Sequence, residues 1–567
     1  MSFFQTPSDV ETRLCTAVDA AIRAENAQQL QSIVLLEPPF PADHQELIIS
    51  LQRNYPANDP RSEDRLKNLV KRVVTETSES QDAEGRPISE WTAMITFLVG
   101  WMVTLRDMDV DNLVLLFQQL SDILQRGDRA LAHPTKGILM LPTIISYAHI
   151  FARVAVGLDK QPELIAHLIA NSVDEEGQRE SLPEKAANIL RQAFTTCLND
   201  KNVAPRGIKD GKPDGKKVGI YKMANICLKI LLQADKPENC DFIFNLISKG
   251  SPPVDIYPAA DRVTYLYYLG RCHFASGNFY GAQLVLAKAY EECHCDNAFI
   301  QQRRKILVYL VGANIILGRF PADVLYEKPE ARGFREIFRP ITKAIRQGDL
   351  ETFRRITSLD LTHPSCDFLM HYRMFYQIGN YCEVLVWRSL IRRVYLLTGA
   401  QGAGMQAAAV VDLNHLLRIF RFLEARARIK NPALAASDLG PGRRDMGHLF
   451  NDYASTTKST YVDPDFVGME DVEPWNDEMD ILEVESICGS LITQGYLNAY
   501  ISQRAEKLAI SGARRPQDGG ALRVGFPSPW SVIKSRNSED VLGWVKEFGP
   551  MRQGEIVRLS GARAAGE

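Results

Sequence analysis

The sequence predicts an all-α protein with a small β-hairpin: a tetratricopeptide-like α-solenoid running into a C-terminal winged helix. Three observations carry this. Almost every periodic segment repeats its apolar residues with the helical period rather than the strand period. A Gly-x-apolar turn recurs at Gly277, Gly318, Gly348 and Gly379, at spacings of 41, 30 and 31 residues. The stretch "ILEVESICGSLITQGYLNAYISQRAEKLAIS", Ile481 to Ser511, reads as a helix, a glycine stop and two short alternating strands around a charged turn.

The bulk numbers set the frame. A chain of 567 residues exceeds one ordinary core, so about two to four domains are expected. Hydrophobic content of 45% and charged content of 24% are ordinary for globular proteins. A net charge of −3 argues against wholesale coating of nucleic acid and leaves local patches open. The opening "MSFFQTPSDVETRL" has neither a basic nor an apolar leader region, and the ten cysteines form no dense framework. Free thiols in a reducing compartment are the expectation. "WTAMITFLVGWMVTL" is too short to span a bilayer, and "GILMLPTIISYAHIFARVAVGL" carries Pro142, His149 and Arg153. Both read as buried core helices, with no membrane partner.

Taken in order, residues 1–200 form an N-terminal helical region, broken by a loop at "TETSESQDAEGRPIS", residues 75–89. "LNDKNVAPRGIKDGKPDGKKVG" follows as a flexible basic loop; it imitates a phosphate loop but lacks the four-residue gap and the hydroxyl after Lys. Residues 218–382 are helical repeats. In "ADRVTYLYYLGRCHFASGNFYGAQLVLAKAYEEC", Leu266, Leu269–Gly270 and Ala282 fall where a tetratricopeptide-type pair wants them. In "QQRRKILVYLVGANIIL", Ile306, Tyr309, Leu310, Ala313, Ile316 and Leu317 share one face. The drifting turn spacing describes a degenerate solenoid rather than a strict array.

Residues 383–511 order as helix, spacer, helix, inserted loop at 431–480, helix and hairpin; 512–567 is a tail. "EVLVWRSLIRRVYLL" is the first helix. "DLNHLLRIFRFLEARARI" is the second, with Leu416, Ile419, Phe420 and Leu423 as its stripe. The third is buried through Ile487, Leu491 and Ile492 and ended by Gly495. The wing tip is Gln503–Arg504–Ala505–Glu506.

The third helix is where a DNA reader of this shape meets bases. Here it opens with Glu483 and Glu485, and residues 461–486 hold ten acids and no base, which argues against sequence-specific reading. Positive charge lies elsewhere. Arg418, Arg421 and Arg428 share a helix face, Arg388 and Arg392 stand one turn apart, and Arg504, Lys507, Arg514, Arg515, Lys534 and Arg536 follow in the wing and tail. This set fits phosphate contacts to RNA or DNA without base readout; solvated faces and structural ion pairs are the competing account for any single member. Arg303, Arg304 and Lys305 sit in the first turns of an apolar helix, where the dipole opposes each cation by ~0.3–1 kcal/mol. An acidic partner or a nearby carboxylate should offset that, with a phosphate as the further alternative, and the three are assigned to partner binding with Tyr496 and Tyr500 on the first wing strand. Cys272–His273 and Cys293–His294–Cys295 lack metal-ligand spacing and read as packing residues. The sequence holds no HExxH and no GxSxG. No catalytic residue, metal or cofactor is expected.

A helical-repeat arm running into a winged helix resembles the PCI domain, shared by the proteasome lid, the COP-nine signalosome and translation initiation factor three. "RVTYLYYLGRCHFASGNFYGAQLVLAKAYEECH", "RRKILVYLVGANIILGRFP" and "EVESICGSLITQGYLNAYISQRAEKLAIS" are similar to the branch that joins PCI domain-containing protein 2 to fungal relatives named as signalosome subunit 12 homologues. The resemblance covers about 260–511 and "FPSPW" at Phe526–Trp530, and departs from the family at 431–480 and between Ser511 and Phe526. It implies a non-enzymatic subunit of the nuclear transcription-export-2 complex. Such a subunit pairs with a large PCI-containing mRNA-export scaffold, is stabilised by a small acidic proteasome-lid-type peptide, and offers RNA or DNA a platform at the nuclear pore. The His-x-His of a metal-dependent deubiquitinase is absent. The alternative is a protein-interaction subunit of a signalosome- or lid-like assembly without nucleic-acid binding.

Overall fold

The computed structural model describes residues 10–544 except 78–79, 82–86, 89, 110, 162, 165–180, 358–363, 400–408, 431–459, 462–463, 467, 470–474, 477–478, 513–514, 539–540 and 542–543. The chain divides into two compact units, Met1–Tyr265 with Val541–Glu567, and Leu266–Asp540.

The first unit is helical: α1 Val10–Arg23, α2 Ala27–Ile33, α3 Ala42–Asn54, α4 Ser62–Val73, α5 Thr92–Asp107, α6 Leu113–Leu131, α7 Leu141–Asp159, α8 Leu182–Leu198, α9 Ile220–Gln233 and α10 Asp241–Gly250. Caps set several starts. Ser181 and Glu184 form a capping box on α8, and Asn26 and Asn112 accept from the backbone N–H groups of Gln29 and Leu115. Trp101 donates from Nε1 to Leu35 O, Trp91 to Ala130 O, and the Tyr147 hydroxyl to Val34 O, so each large aromatic buries its ring with its polar tip satisfied. The segment Lys136–Asp159 has the length and hydropathy to cross a membrane; its helix α7 packs on α6, α8 and α9 through Ile144, Tyr147, Phe151 and Ala155.

The loop expected to be flexible after α8 is instead a tight hairpin. Ile208–Lys209 pairs with Lys212–Pro213, Asp214 accepts from Ala204 N, and Lys216 is buried with its ammonium on His133 O at 2.9 Å and 3.8 Å from Asp200. Glycines at positive φ (207, 211, 215) make the turns that composition alone reads as disorder. Within residues 75–89 the structure describes a short 3-10 turn at Thr75–Thr77 and a two-residue ladder, Ser80–Gln81 on Pro87–Ile88.

The second unit begins inside α11 Ala259–Ala275 and continues through α12 Phe279–Glu292, α13 Ile300–Ile316, α14 Phe334–Gln347, α15 Leu350–Thr357, α16 Pro364–His371 and α17 Phe375–Thr398. The α11/α12 pair is close because Gly270 has no side chain: a Cβ there would lie 2.5 Å from Leu286 Cγ. Leu266, Leu269 and Ala282 are buried between them. Gly277, Gly318 and Gly348 end helices at positive φ, as expected. Gly379 does not. It lies inside α17, and the turn before that helix is made by Arg373 at φ 55°. The helix expected to start at Glu383 therefore begins at Phe375, two turns earlier, because a lone glycine with buried Ile378 and Cys382 beside it is carried by tertiary packing.

The winged helix follows as β1 Ala409–Asp412, α18 Leu413–Lys430, α19 Ile481–Gln494, β2 Ala499–Ser502 and β3 Lys507–Ile510. Strand order is β1-β3-β2, all antiparallel, so the hairpin gains a third strand from the spacer and β3 becomes central. Asp480 and Glu483 cap α19 reciprocally, and Gly495 ends it at φ 78°. Its buried face is Val484, Cys488 and Leu491; Ile487 and Ile492 are half-buried, so the face is rotated by about one residue from the expected one. Within the inserted loop the structure describes a short ladder, Thr460–Tyr461 on Trp475–Asn476, and a 3-10 turn at Pro464–Phe466; most of the rest lies outside the described residues.

The expected tail is ordered from 515 to 538. After α20 Gly520–Val524, Phe526 packs on Tyr395, and α21 Pro529–Arg536 returns to the repeats. Trp530 stacks on Tyr280 at 5.6 Å under the Arg319 guanidinium at 4.5 Å, and Pro529 covers the turn at Gly318.

Candidate nucleic-acid interface

The wing tip is built from three directions. Residues Gln503–Ala505 form a 3-10 turn, and Glu506 adopts φ 50° to enter β3. Leu413 N donates to Glu506 O, and Asn414 Nδ2 reaches Glu506 Oε2 at 2.7 Å, fastening the tip to the start of α18. Gln503 Nε2 touches Glu485 Oε2 at 3.4 Å on the first turns of α19. Asp412 accepts from Asn414 N and so caps α18.

At this tip Arg504 and Lys507 are exposed and form no ion pair among the described residues. Lys507 opens the central strand, in register with Asp412 on one side and Ser502 on the other. Arg418 is exposed one turn beyond Asn414 on the same face of α18. The helix start adds a partial positive charge beside the tip. Together these present three exposed cations, with Asp412, Glu485 and Glu506 close by, at a corner that could meet phosphate oxygens without reading bases.

The other expected contacts divide. Arg392, Arg515 and Lys534 are exposed. Arg388 is not available: its guanidinium donates to Phe526 O and Pro527 O at 2.7 Å, and burial, aided by Arg392, lowers its pKa to about 10. Arg421 donates from Nε to Met479 O, and Arg536 donates to Gln494 O at the end of α19, where a cation also suits the helix dipole. These three hold the module together. Arg514 and the side chain of Arg428 lie outside the described residues.

Among the expected partner contacts, Arg303 faces inward and Arg304 is half-buried. Arg303 is 6% exposed, pairs with Glu330 at 3.1 Å, donates to Cys293 O at 2.8 Å and stacks on Tyr290. Arg304 donates to Glu330 O and Arg332 O over the Phe334 ring. The compensation for cations at this helix start is the nearby carboxylate. Lys305 is exposed. Tyr496 is half-buried, with its hydroxyl pKa raised by burial against the opposing pull of Arg536, whereas Tyr500 is 65% exposed on the open edge strand β2.

The first turns of α19 carry Glu483 and Glu485, with Leu482 67% exposed and no basic residue. These acids disfavour phosphate here, and the exposed cations of the wing tip lie beside this helix start rather than along it. Sequence reasoning missed Asn414 and the strand β1, which fix the tip; the alternating Ala409–Asp412 was hidden in a spacer of small residues. Among the described residues no group of three or more His, Cys, Asp or Glu could hold a metal ion.

No family model matches the chain. It is similar to a PCI domain-containing protein of Schizosaccharomyces pombe, 27% identical over 366 residues, covering 63% of this chain and 66% of the relative. PCI domain-containing protein 2 of Xenopus laevis is 25% identical over 355 residues, 61% of this chain and 68% of the relative. A protein named as a CSN12 homologue in Gibberella zeae is 26% identical over 307 residues, 52% of this chain and 63% of the relative. The chain thus spans just under two thirds of the first and third of these relatives. It pairs helical repeats that run into a winged helix with a likeness, over more than half of its length, to proteins named for the PCI domain.

Proposed function

We propose that this protein is a non-enzymatic scaffold subunit of a nuclear mRNA-export complex, acting at the nuclear pore. Its winged helix joins that of a second, larger PCI protein, a small acidic peptide stabilises the pair, and the joined surface holds RNA or DNA without sequence preference. The observation that carries this is the wing tip, where Arg504 and Lys507 stand exposed and without an ion pair among the described residues, beside Arg418. The names of the relatives support a scaffold role.

The test is binding of labelled single-stranded RNA to the purified complex across a salt series. Each phosphate contact contributes a slope of ~0.7 in log K against log salt for single strands. Arg504→Glu with Lys507→Glu should weaken binding ~10-fold or more across all sequences and reduce the slope by ~1–2. The likeness to proteins named CSN12 homologues favours a second reading, a protein-interaction subunit of a signalosome-like assembly. An intact complex with no RNA binding at low salt decides for that reading.

A further inference from the structure

A second cationic surface lies on the repeat arm and includes Arg304 and Arg332 at one end. Helix α14 carries Arg335, Arg339 and Lys343 at i, i+4 and i+8, so they form one stripe with steps of ~6 Å along the helix. Two open grooves run along this stripe and share Arg335. One, of about 560 Å³, is lined by Arg335, Arg339, Lys343, Gln347 and Thr352; the other, of about 790 Å³, by Arg304, Lys328, Arg332 and Arg335. Arg332, Arg339 and Lys343 are exposed.

The acids nearby leave this charge largely uncompensated. Asp349 already accepts from Thr352 N and Oγ1, and Asp323 meets Arg339 only at 3.9 Å with both side chains more than half exposed. Such a pair contributes little and is screened by salt. Glu327 and Glu336 line the second groove against its four bases. Arg335 lies over the Tyr326 ring at 5.5 Å, and the buried Tyr326 hydroxyl has no hydrogen-bond partner. The stripe also continues. Arg393 on α17 donates to Gln347 O, one turn past Lys343, and exposed Arg392 is its neighbour on the same helix.

We infer that this stripe is a second nucleic-acid contact, a track for the sugar–phosphate backbone of single-stranded RNA. One observation favours RNA over an acidic protein segment. No large apolar side chain lines the groove from Arg335 to Thr352, whereas protein partners draw their affinity from apolar and aromatic anchors in pockets. Phosphate contacts need only spaced cations, and a regular row of them fits a polymer with one charge per repeat. The inference does not require the wing tip to bind, and the two surfaces are separable by mutation.

The experiment uses the full chain with Arg339→Glu and Lys343→Glu, both exposed, compared with the wing-tip reversal and the unchanged protein. Binding of a labelled oligouridylate and of polyglutamate is measured across a salt series, with circular dichroism and thermal melting to confirm an unchanged fold. The stripe variant is expected to lose RNA affinity ~10-fold or more and to reduce the salt slope by ~1–2. If it binds RNA like the unchanged protein while the wing variant does not, the track is overturned and the wing-tip reading stands. If the stripe variant loses RNA and the wing variant keeps it, the track stands and the wing-tip reading fails. Loss of polyglutamate binding with unchanged RNA affinity overturns the track in favour of an acidic protein partner.

Discussion

Single residues here show how the same side-chain type takes different roles according to depth. Arg303 and Arg504 are both arginines in turns or first helical turns, yet one is locked onto Glu330 and the other faces solvent. Burial alone pushes the Glu330 carboxyl up, but the Tyr290 hydroxyl, a backbone N–H and Arg303 outweigh it and hold the pKa low. Asp128 is the opposite case. Burial raises its pKa to about 6, only partly opposed by Thr196, and its Oδ1 has no partner. A carboxyl whose folded pKa lies above the unfolded one binds more protons when folded, so stability falls as pH rises from about 4 to about 6 and stays lower above that. Asp128→Asn is therefore expected to raise stability by ~1–2 kcal/mol at pH 7.5 and to bring no gain near pH 4, read from urea unfolding at both values. Which arginine would face inward was not legible in the sequence. Glu330 lies 27 residues from Arg303, and no local pattern connects them.

Elements were more legible where a backbone requirement fixes the residue. Gly348 sits at φ 65° between α14 and α15, and a Cβ there would lie 2.4 Å from Leu390 N and 2.6 Å from Leu390 Cα on α17. Backbone cannot yield as a side chain can. Gly348→Ala is expected to cost at least ~2 kcal/mol, from the left-handed conformation and the overlap together, measured by the urea midpoint. The Gly-x-apolar pattern found this turn and failed at Gly379, where the same letters continue a helix because apolar neighbours bury it on both sides. The winged helix was legible in its helix-stop-hairpin order. Its third strand was not, since Ala409–Asp412 is too short to declare a period and is a strand only because Leu508 and Ala509 lie beside it.

At the scale of the molecule, charge is sorted rather than scarce. A net charge of −3 conceals acidic first turns on α19, a cationic wing tip and a basic stripe on α14. The stripe is legible as "REIFRPITK", but spacing alone cannot tell a solvated helix face from a groove. The thiols show the same sorting. Nine of the ten cysteines are buried and Cys295 is exposed, and burial pushes Cys15, Cys197, Cys227 and Cys488 up to about 12. A thiol-reactive dye should label one cysteine in the native protein and ten in denaturant. More than one native equivalent would mean that buried helices open on the timescale of labelling.

The segment from Phe526 to Arg536 closes the second unit, and it is the last described part of that unit to be synthesised. Until it emerges, Tyr280 and Tyr395 lack the rings that cover them, and Arg388 lacks both carbonyls it donates to. A nascent chain paused before Phe526 therefore holds repeats and wing with an open apolar seam, a surface that ribosome-associated chaperones would hold and proteases would recognise. A chain cut short before Phe526 would therefore be open to degradation at this seam even though its repeats and wing are intact.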